Sequence, residues 1–112
     1  IKNEDWTGAN DLGKPIMIGE FHFGALDRGM FHQGLQSAAS QEDRARLYTR
    51  YVKSVLDCPA FVGCHWFEFA DEPTTGRSMD GENFSIGIVN VADVPYKELV
   101  EANYALFAEM GK

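Results

Sequence analysis

Short apolar runs alternate along the chain with long polar, glycine-bearing stretches, and twice an apolar run is followed by a segment of helical periodicity. Gly13 and Lys14-Pro15 punctuate a turn, after which Ile16-Met17-Ile18-Gly19-Glu20-Phe21 is an almost continuous apolar run. Such a run predicts a strand covered on both faces, as in a parallel sheet. From Gly24 to Ala39 there is little periodicity and there are three glycines, Gly24, Gly29 and Gly34. This reads as a long loop, and unstructured loops beyond about 12 to 15 residues are uncommon unless they do something.

Ser40 has the chemistry of a helix N-cap, with Gln41, Glu42 and Asp43 placing acceptors and negative charge where unpaired N–H groups and the helix dipole favour them. Leu47, Tyr48, Tyr51, Val52, Val55 and Leu56 repeat at helical spacing, which predicts one apolar stripe with Arg44, Arg46, Arg50 and Lys53 largely outside it. Cys58-Pro59 ends that helix. Phe61 to Phe69 predicts a second strand, followed by a polar loop from Ala70 to Arg77, and Ile86 to Val89 predicts a small extra strand or extended segment. Asp93 and Pro95 open a last helix whose buried stripe is Tyr96, Leu99, Val100, Asn103, Leu106, Phe107 and Met110, with Gly111 as its cap.

The order strand, long loop, helix, strand, long loop, helix implies parallel strands with crossover helices, an α/β arrangement. Two such units leave strand edges unpaired on both flanks, so the physiological unit is expected to be larger. The chain opens on Ile1 in the polar stretch Lys2, Asn3, Glu4, Asp5 and is expected to continue upstream, where any export signal would lie. A hydrophobic content of 45% across 112 residues supports a packed core rather than disorder. The formal charge of -7 argues against a nucleic-acid partner, because neutralising phosphates requires surplus Lys and Arg. No apolar stretch approaches the roughly 20 residues needed to span a bilayer, so no membrane partner is expected. Cys58 and Cys64 are too few for a disulfide scaffold and are predicted to be free thiols.

In barrels of alternating strands and helices, polar residues at the C-terminal strand ends face the active site. The first strand ends Gly19-Glu20-Phe21-His22-Phe23, and alternation puts Glu20 and His22 on one side and the two phenylalanines on the other. Glu20 is either a strand-end carboxylate meeting solvent or a functional group. The second strand ends with Trp66 and Glu68 on one face. Trp66 is either a large core residue or a flat surface for a sugar, its indole N–H free to donate to a hydroxyl. The histidines His22, His32 and His65 have no metal-ligand spacing, and Asp80-Gly81-Glu82-Asn83 reads as a solvated turn rather than a calcium loop. No phosphate-binding fingerprint and no G-x-S-x-G elbow is present, so neither a metal nor a cofactor is expected.

The stretch from Gly19 through Glu20-Phe21-His22-Phe23-Gly24-Ala25-Leu26-Asp27-Arg28-Gly29-Met30-Phe31 to His32, with His65-Trp66-Phe67, Thr74-Thr75-Gly76-Arg77 and Asp80-Gly81-Glu82-Asn83, resembles glycoside hydrolase family 50. This is the beta-agarase family of a large retaining clan built on the eight-stranded (β/α)8 TIM barrel. The resemblance begins near Lys14 and covers the seventh and eighth strand-helix units. It implies that residues 1–112 are the C-terminal portion of a catalytic barrel whose N-terminal part lies outside this chain. It further implies that Glu20 is the nucleophile, that Trp66 is an aromatic sugar platform, and that His22, Asp27, Arg28, His32, Glu68 and Arg77 line or brace the subsites. The implied reaction is retaining hydrolysis of beta-glycosidic bonds in a galactose-containing polysaccharide such as agarose, through two carboxylates about 5 to 5.5 Å apart. The second acid would come from a strand outside this chain, so these residues alone are expected to be inactive. Family members tend to carry glutamine where this chain has Glu68 and Glu72. Other readings of the same residues are a beta-galactosidase-like hydrolase of the clan and a non-catalytic carbohydrate-binding module. The family resemblance implies a bacterial protein that is secreted, periplasmic or at the cell surface.

Overall fold

Strand β1 (Ile16–Phe21) and strand β2 (Phe61–Trp66) lie side by side as a parallel pair in a computed structural model that describes residues 6–111. The polar stretch Lys2 to Asp5 lies outside the described residues. Helix α1 (Gln41–Leu56) crosses from the first strand to the second and packs on the sheet, and helix α2 (Lys97–Met110) packs beside α1. A short 3-10 helix (Ala9–Leu12) precedes β1. The expected strand, loop, helix order is therefore present, as a small α/β fold. One sheet face is covered by the helices; the other carries Met17 and Val62, 54% and 69% exposed.

The core lies between the sheet and α1, where Phe21, Phe23, Tyr51, Val52, Val55 and Leu106 cluster with Ile18, Leu47, Tyr48, Phe61, Cys64 and Trp66. Phe21 stacks on Tyr51 with ring centres 4.4 Å apart and meets Trp66 edge-on at 5.3 Å. These geometries are the favoured ones for ring quadrupoles and add to the gain from burying the rings. Trp6 closes the N-terminal end, packing on Phe61 and donating its indole N–H to Ser54 Oγ at 3.0 Å.

Helix α1 starts as its sequence predicts. Ser40 Oγ accepts from the Asp43 N–H at 3.1 Å, and Asp43 Oδ2 reaches back to accept from the Ala39 N–H at 3.0 Å. The first bond satisfies a donor that a helix start leaves unpaired, and the second fixes the residue before the cap. The Ala39 and Arg46 hydrogen bonds hold the Asp43 carboxyl below its ordinary pKa.

Several boundaries differ from the periodicity. β2 ends at Trp66 rather than Phe69, because after the Phe67 N–H donates to the Phe21 carbonyl at 2.9 Å the chain leaves the sheet, and the Phe69 carbonyl accepts from Ile88 and Val89 instead. The Ile86 to Val89 segment forms no strand; Val89 makes single bridges to Ala70 and Pro95. Those bridges, with Tyr96 N–H donating to the Ile88 carbonyl at 2.9 Å, keep residues 93–95 out of the helix, which starts at Lys97. In α2, Leu99 and Leu106 are buried, but Phe107 and Met110 from the predicted stripe face an open apolar groove along β2. Both cysteines are free thiols, and burial raises the Cys64 pKa. Among the described residues no helix is long and apolar enough to cross a membrane.

Candidate active site

The tip of β1 departs from strict alternation. Ile18 pairs with Cys64 and Phe21 with Trp66, so β1 carries one residue more than β2 between those pairs. Unbroken alternation would send Glu20 beneath the helices with Ile16 and Ile18. The bulge instead gives that position to Phe21 and turns Glu20 to the exposed side. Bulges beside sites re-aim side chains in this way. Glu20 and His22 then border one cavity of about 280 Å³, together with Phe21, Phe23, Leu35, Gln36 and Tyr51. Among the described residues no hydrogen bond or ion pair engages the Glu20 carboxylate.

His22 is 6% exposed, and its Nε2 accepts from the Leu35 N–H at 3.0 Å. An accepting Nε2 requires the proton on Nδ1, so the ring is a neutral imidazole with a fixed tautomer. Burial lowers its pKa, against the pull of the nearby Glu20 and Glu82 charges and with the push of Arg44. Gly34 makes the close approach possible. Its φ is +82°, and a Cβ there would lie 2.7 Å from His22 Nε2.

The loop after β2 is joined to the first loop, the Ser85 N–H donating to the His32 carbonyl at 2.6 Å. Glu72 is buried; its Oε2 accepts from the Phe84 N–H at 2.8 Å and its Oε1 meets Arg77 at 3.3 Å. Arg77 also grips Asp80 through two bonds, at 2.7 and 2.8 Å, and lies 3.5 Å from Glu82. The Arg77 hydrogen bond brings the Asp80 pKa down to about 2, while the Asp80 bond raises that of Arg77. The Glu82 pKa is raised, first by its hydrogen bond to Glu72. The expected solvated turn at residues 80–83 is thus a turn clamped by an arginine, with Asp80 on its exposed side.

Beneath both loops lies a buried polar knot that sequence reasoning missed. Arg44, expected outside the apolar stripe of α1, is 0% exposed. Its guanidinium donates to the carbonyls of Phe23 and Gly87 and to Gln41 Oε1 at 2.9 Å, and sits 5.4 Å from the Trp66 ring and 5.0 Å from the Tyr96 ring. Burial lowers its pKa to about 10 against the charges of Asp71, Tyr96 and Asp27. Asp71 accepts from the Gly87 N–H at 2.8 Å, from Tyr96 and from Ser85. Burial, then the Asp71 bond, pushes the Tyr96 hydroxyl up to about 12. A signal was present in the sequence: Arg44 lies four residues before Tyr48 and seven before Tyr51, on the apolar stripe itself.

The other predicted site residues divide into engaged and open groups. Asp27 accepts from both the backbone and the side-chain N–H of Gln41, at 3.0 and 3.1 Å, and so joins the first loop to the knot. Arg28 pairs with Glu98 at the start of α2. The Trp66 N–H, expected to serve a hydroxyl, donates to the carbonyls of Glu68 and Ile86 at 3.0 Å each, and its ring packs in the core. Glu68 is half-buried and His32 exposed. The His32 backbone bridges to Phe84 across the two loops. Among the described residues, no three His, Cys, Asp or Glu side chains converge as metal ligands.

No protein-family model matches the chain. It is 57% identical over 98 residues to Beta-agarase B of Vibrio sp. (strain JT0107), a match covering 88% of this chain and 10% of that protein. Among solved structures, an exo-beta-agarase superposes with a TM-score of 0.89 at 51% identity, over 93% of this chain and 14% of its own. PfGH50B superposes with a TM-score of 0.90 at 47% identity, over 98% of this chain and 16% of its own. The chain thus spans about a tenth of the length of the curated relative it matches.

Proposed function

The chain belongs to the beta-agarases of glycoside hydrolase family 50, and from that premise we propose that the protein carrying it hydrolyses beta-glycosidic bonds of agarose with Glu20 as nucleophile. The supporting observation is the β1 bulge, which turns one carboxylate to the exposed side at the C-terminal strand tip, beside a cavity shared with a neutral histidine. In this reading β1 with α1 and β2 with α2 are the seventh and eighth units of a (β/α)8 barrel, whose active sites gather at that strand end. The bare face of the sheet and the open edge of β2 suit such a setting.

The Glu20 carboxylate would attack the anomeric carbon through an oxocarbenium-like transition state, forming a glycosyl-enzyme that water then releases with net retention. A second carboxyl group about 5 to 5.5 Å away, from strands outside this chain, would protonate the leaving oxygen and later activate the water. His22 is a positioning residue: its Nε2 is fixed by Leu35, so the ring stands as a neutral wall beside Glu20. Asp27, Arg28 and Arg77 brace the loops, Trp66 backs the strand tip, and His32 and Glu68 remain open to an oligosaccharide. Residues 1–112 alone are expected to be inactive, since both the second acid and most of the cleft are outside them. The test is Glu20→Gln in the full-length protein, assayed on agarose: oligosaccharide binding persists and turnover disappears, and hydrolysis at the parent rate reassigns the nucleophile.

A further inference from the structure

Sugars are held in clefts partly by flat apolar surfaces, because a pyranose C–H face sheds water against an aromatic ring while its hydroxyls bond elsewhere. Trp66 is poorly placed to offer that surface. Its N–H is committed to two backbone carbonyls, and its ring is hemmed in by Phe21, Tyr48 and the Arg44 guanidinium. A different ring stands next to His22. Phe84 is half-buried, with its ring centre 6.1 Å from that of His22 and 6.0 Å from that of His32. His22 forms part of the cavity beside Glu20, while His32 is exposed. Three rings therefore run outward from that cavity: a buried imidazole, a half-buried phenyl and an exposed imidazole.

The backbone of Phe84 is tightly fixed for a loop residue. Its N–H donates to Glu72 Oε2 at 2.8 Å and its carbonyl accepts from the Glu72 N–H at 3.1 Å. Next to it, the Ser85 N–H donates to the His32 carbonyl at 2.6 Å and fastens the two loops together. Glu72 is itself buried and paired with Arg77. A ring mounted this way loses little freedom when a ligand packs on it, so more of the contact energy reaches affinity.

We infer that Phe84, flanked by His22 and His32, is the apolar wall against which a sugar ring of the polysaccharide packs beside Glu20, and so a determinant of substrate affinity. This rests on the agarase reading above. The experiment uses the full-length protein with Glu20→Gln, first assayed for hydrolysis and then titrated calorimetrically with agarose oligosaccharides. In that background Phe84→Ala is expected to weaken binding about tenfold, while Phe84→Tyr, which keeps the flat ring, stays within about twofold. Phe84→Leu keeps apolar bulk without the ring face and is expected to weaken binding severalfold; it also serves if the alanine variant does not fold. Unchanged affinity in the alanine or leucine variant, or an equal loss in the tyrosine variant, overturns the inference and leaves the role of Glu20 standing. Undiminished hydrolysis by Glu20→Gln instead reassigns the nucleophile, and a full-length parent that does not hydrolyse agarose overturns the agarase reading.

Discussion

Glu20 and Arg44 are both charged residues near the C-terminal end of β1, and the fold treats them oppositely. Arg44 is enclosed, with its donors spent on two carbonyls and a glutamine and its faces set against two aromatic rings. Glu20 is exposed, has no hydrogen-bond partner among the described residues and borders a cavity. A buried charge must have its hydrogen bonds filled, and once filled they fix geometry. An unfilled carboxylate on a cavity can stay so only because water reaches it, and the same opening admits a substrate. The difference separates residues that hold the site from the residue proposed to act in it.

The sharpest way to break this contrast is to neutralise each charge at nearly constant shape. Glu20→Gln in the full-length protein is expected to lower turnover at least about ten-thousandfold, more than about 5 kcal/mol of barrier, with thermal stability held within about 0.5 kcal/mol. Arg44→Met is expected to do the reverse at the level of folding. It leaves the Phe23 and Gly87 carbonyls and Gln41 Oε1 without their donor and Asp71 without a nearby positive charge, a loss of about 3 to 5 kcal/mol by denaturant titration. If Glu20→Gln proved strongly destabilising, or Arg44→Met neutral, the division between acting and holding residues would collapse.

A smaller effect falls on the seat of His22. Gly34 lies at φ +82°, and an added Cβ would meet His22 Nε2 at 2.7 Å and Ile86 Cγ2 at 2.9 Å. Gly34→Ala is therefore expected to cost about 1 to 3 kcal/mol of stability, partly from the left-handed backbone. It should also lower kcat by displacing the imidazole from the Leu35 N–H. A variant with parental stability and kcat would show that His22 does not need this fixed seat.

What was legible in the sequence follows the same division. Apolar periodicity placed both strands and both helices, and Ser40 with Asp43 marked the start of α1, because those signals are local. Glu20 was legible as a polar residue ending an apolar run. The bulge that turns it outward was not, since a bulge depends on register with a strand some 45 residues away in sequence. Arg44 reads as lying outside the apolar stripe because charge usually is solvated; its burial depends on carbonyls of Phe23 and Gly87 that only the fold brings together. Phe84 carried no local signal either. Its position is set by Glu72 from the other end of the same loop and by the bridge to His32.

The smallest predicted effect concerns pH and the wall of Phe84. The Glu72 carboxylate beside Glu82 disfavours its ionisation, so the Glu82 pKa lies above its ordinary 4.5. A group whose folded pKa is raised contributes stability fully below its unfolded value and loses it as pH climbs through the folded value. Arg77 opposes this by favouring ionised Glu82, and Asp80 reinforces it. His22 acts with the opposite sign, since burial lowers its pKa and its contribution is lost as pH falls from 6.5 through the folded value. Glu72→Gln separates the two. An amide carries no charge to disfavour ionised Glu82, and its oxygen still accepts from the Phe84 N–H. Melting temperatures measured from pH 4.5 upward should fall less steeply with pH in Glu72→Gln than in the parent, while the acid-side loss from His22 remains in both. Parallel curves for the two proteins would mean that water screens Glu82 from Glu72.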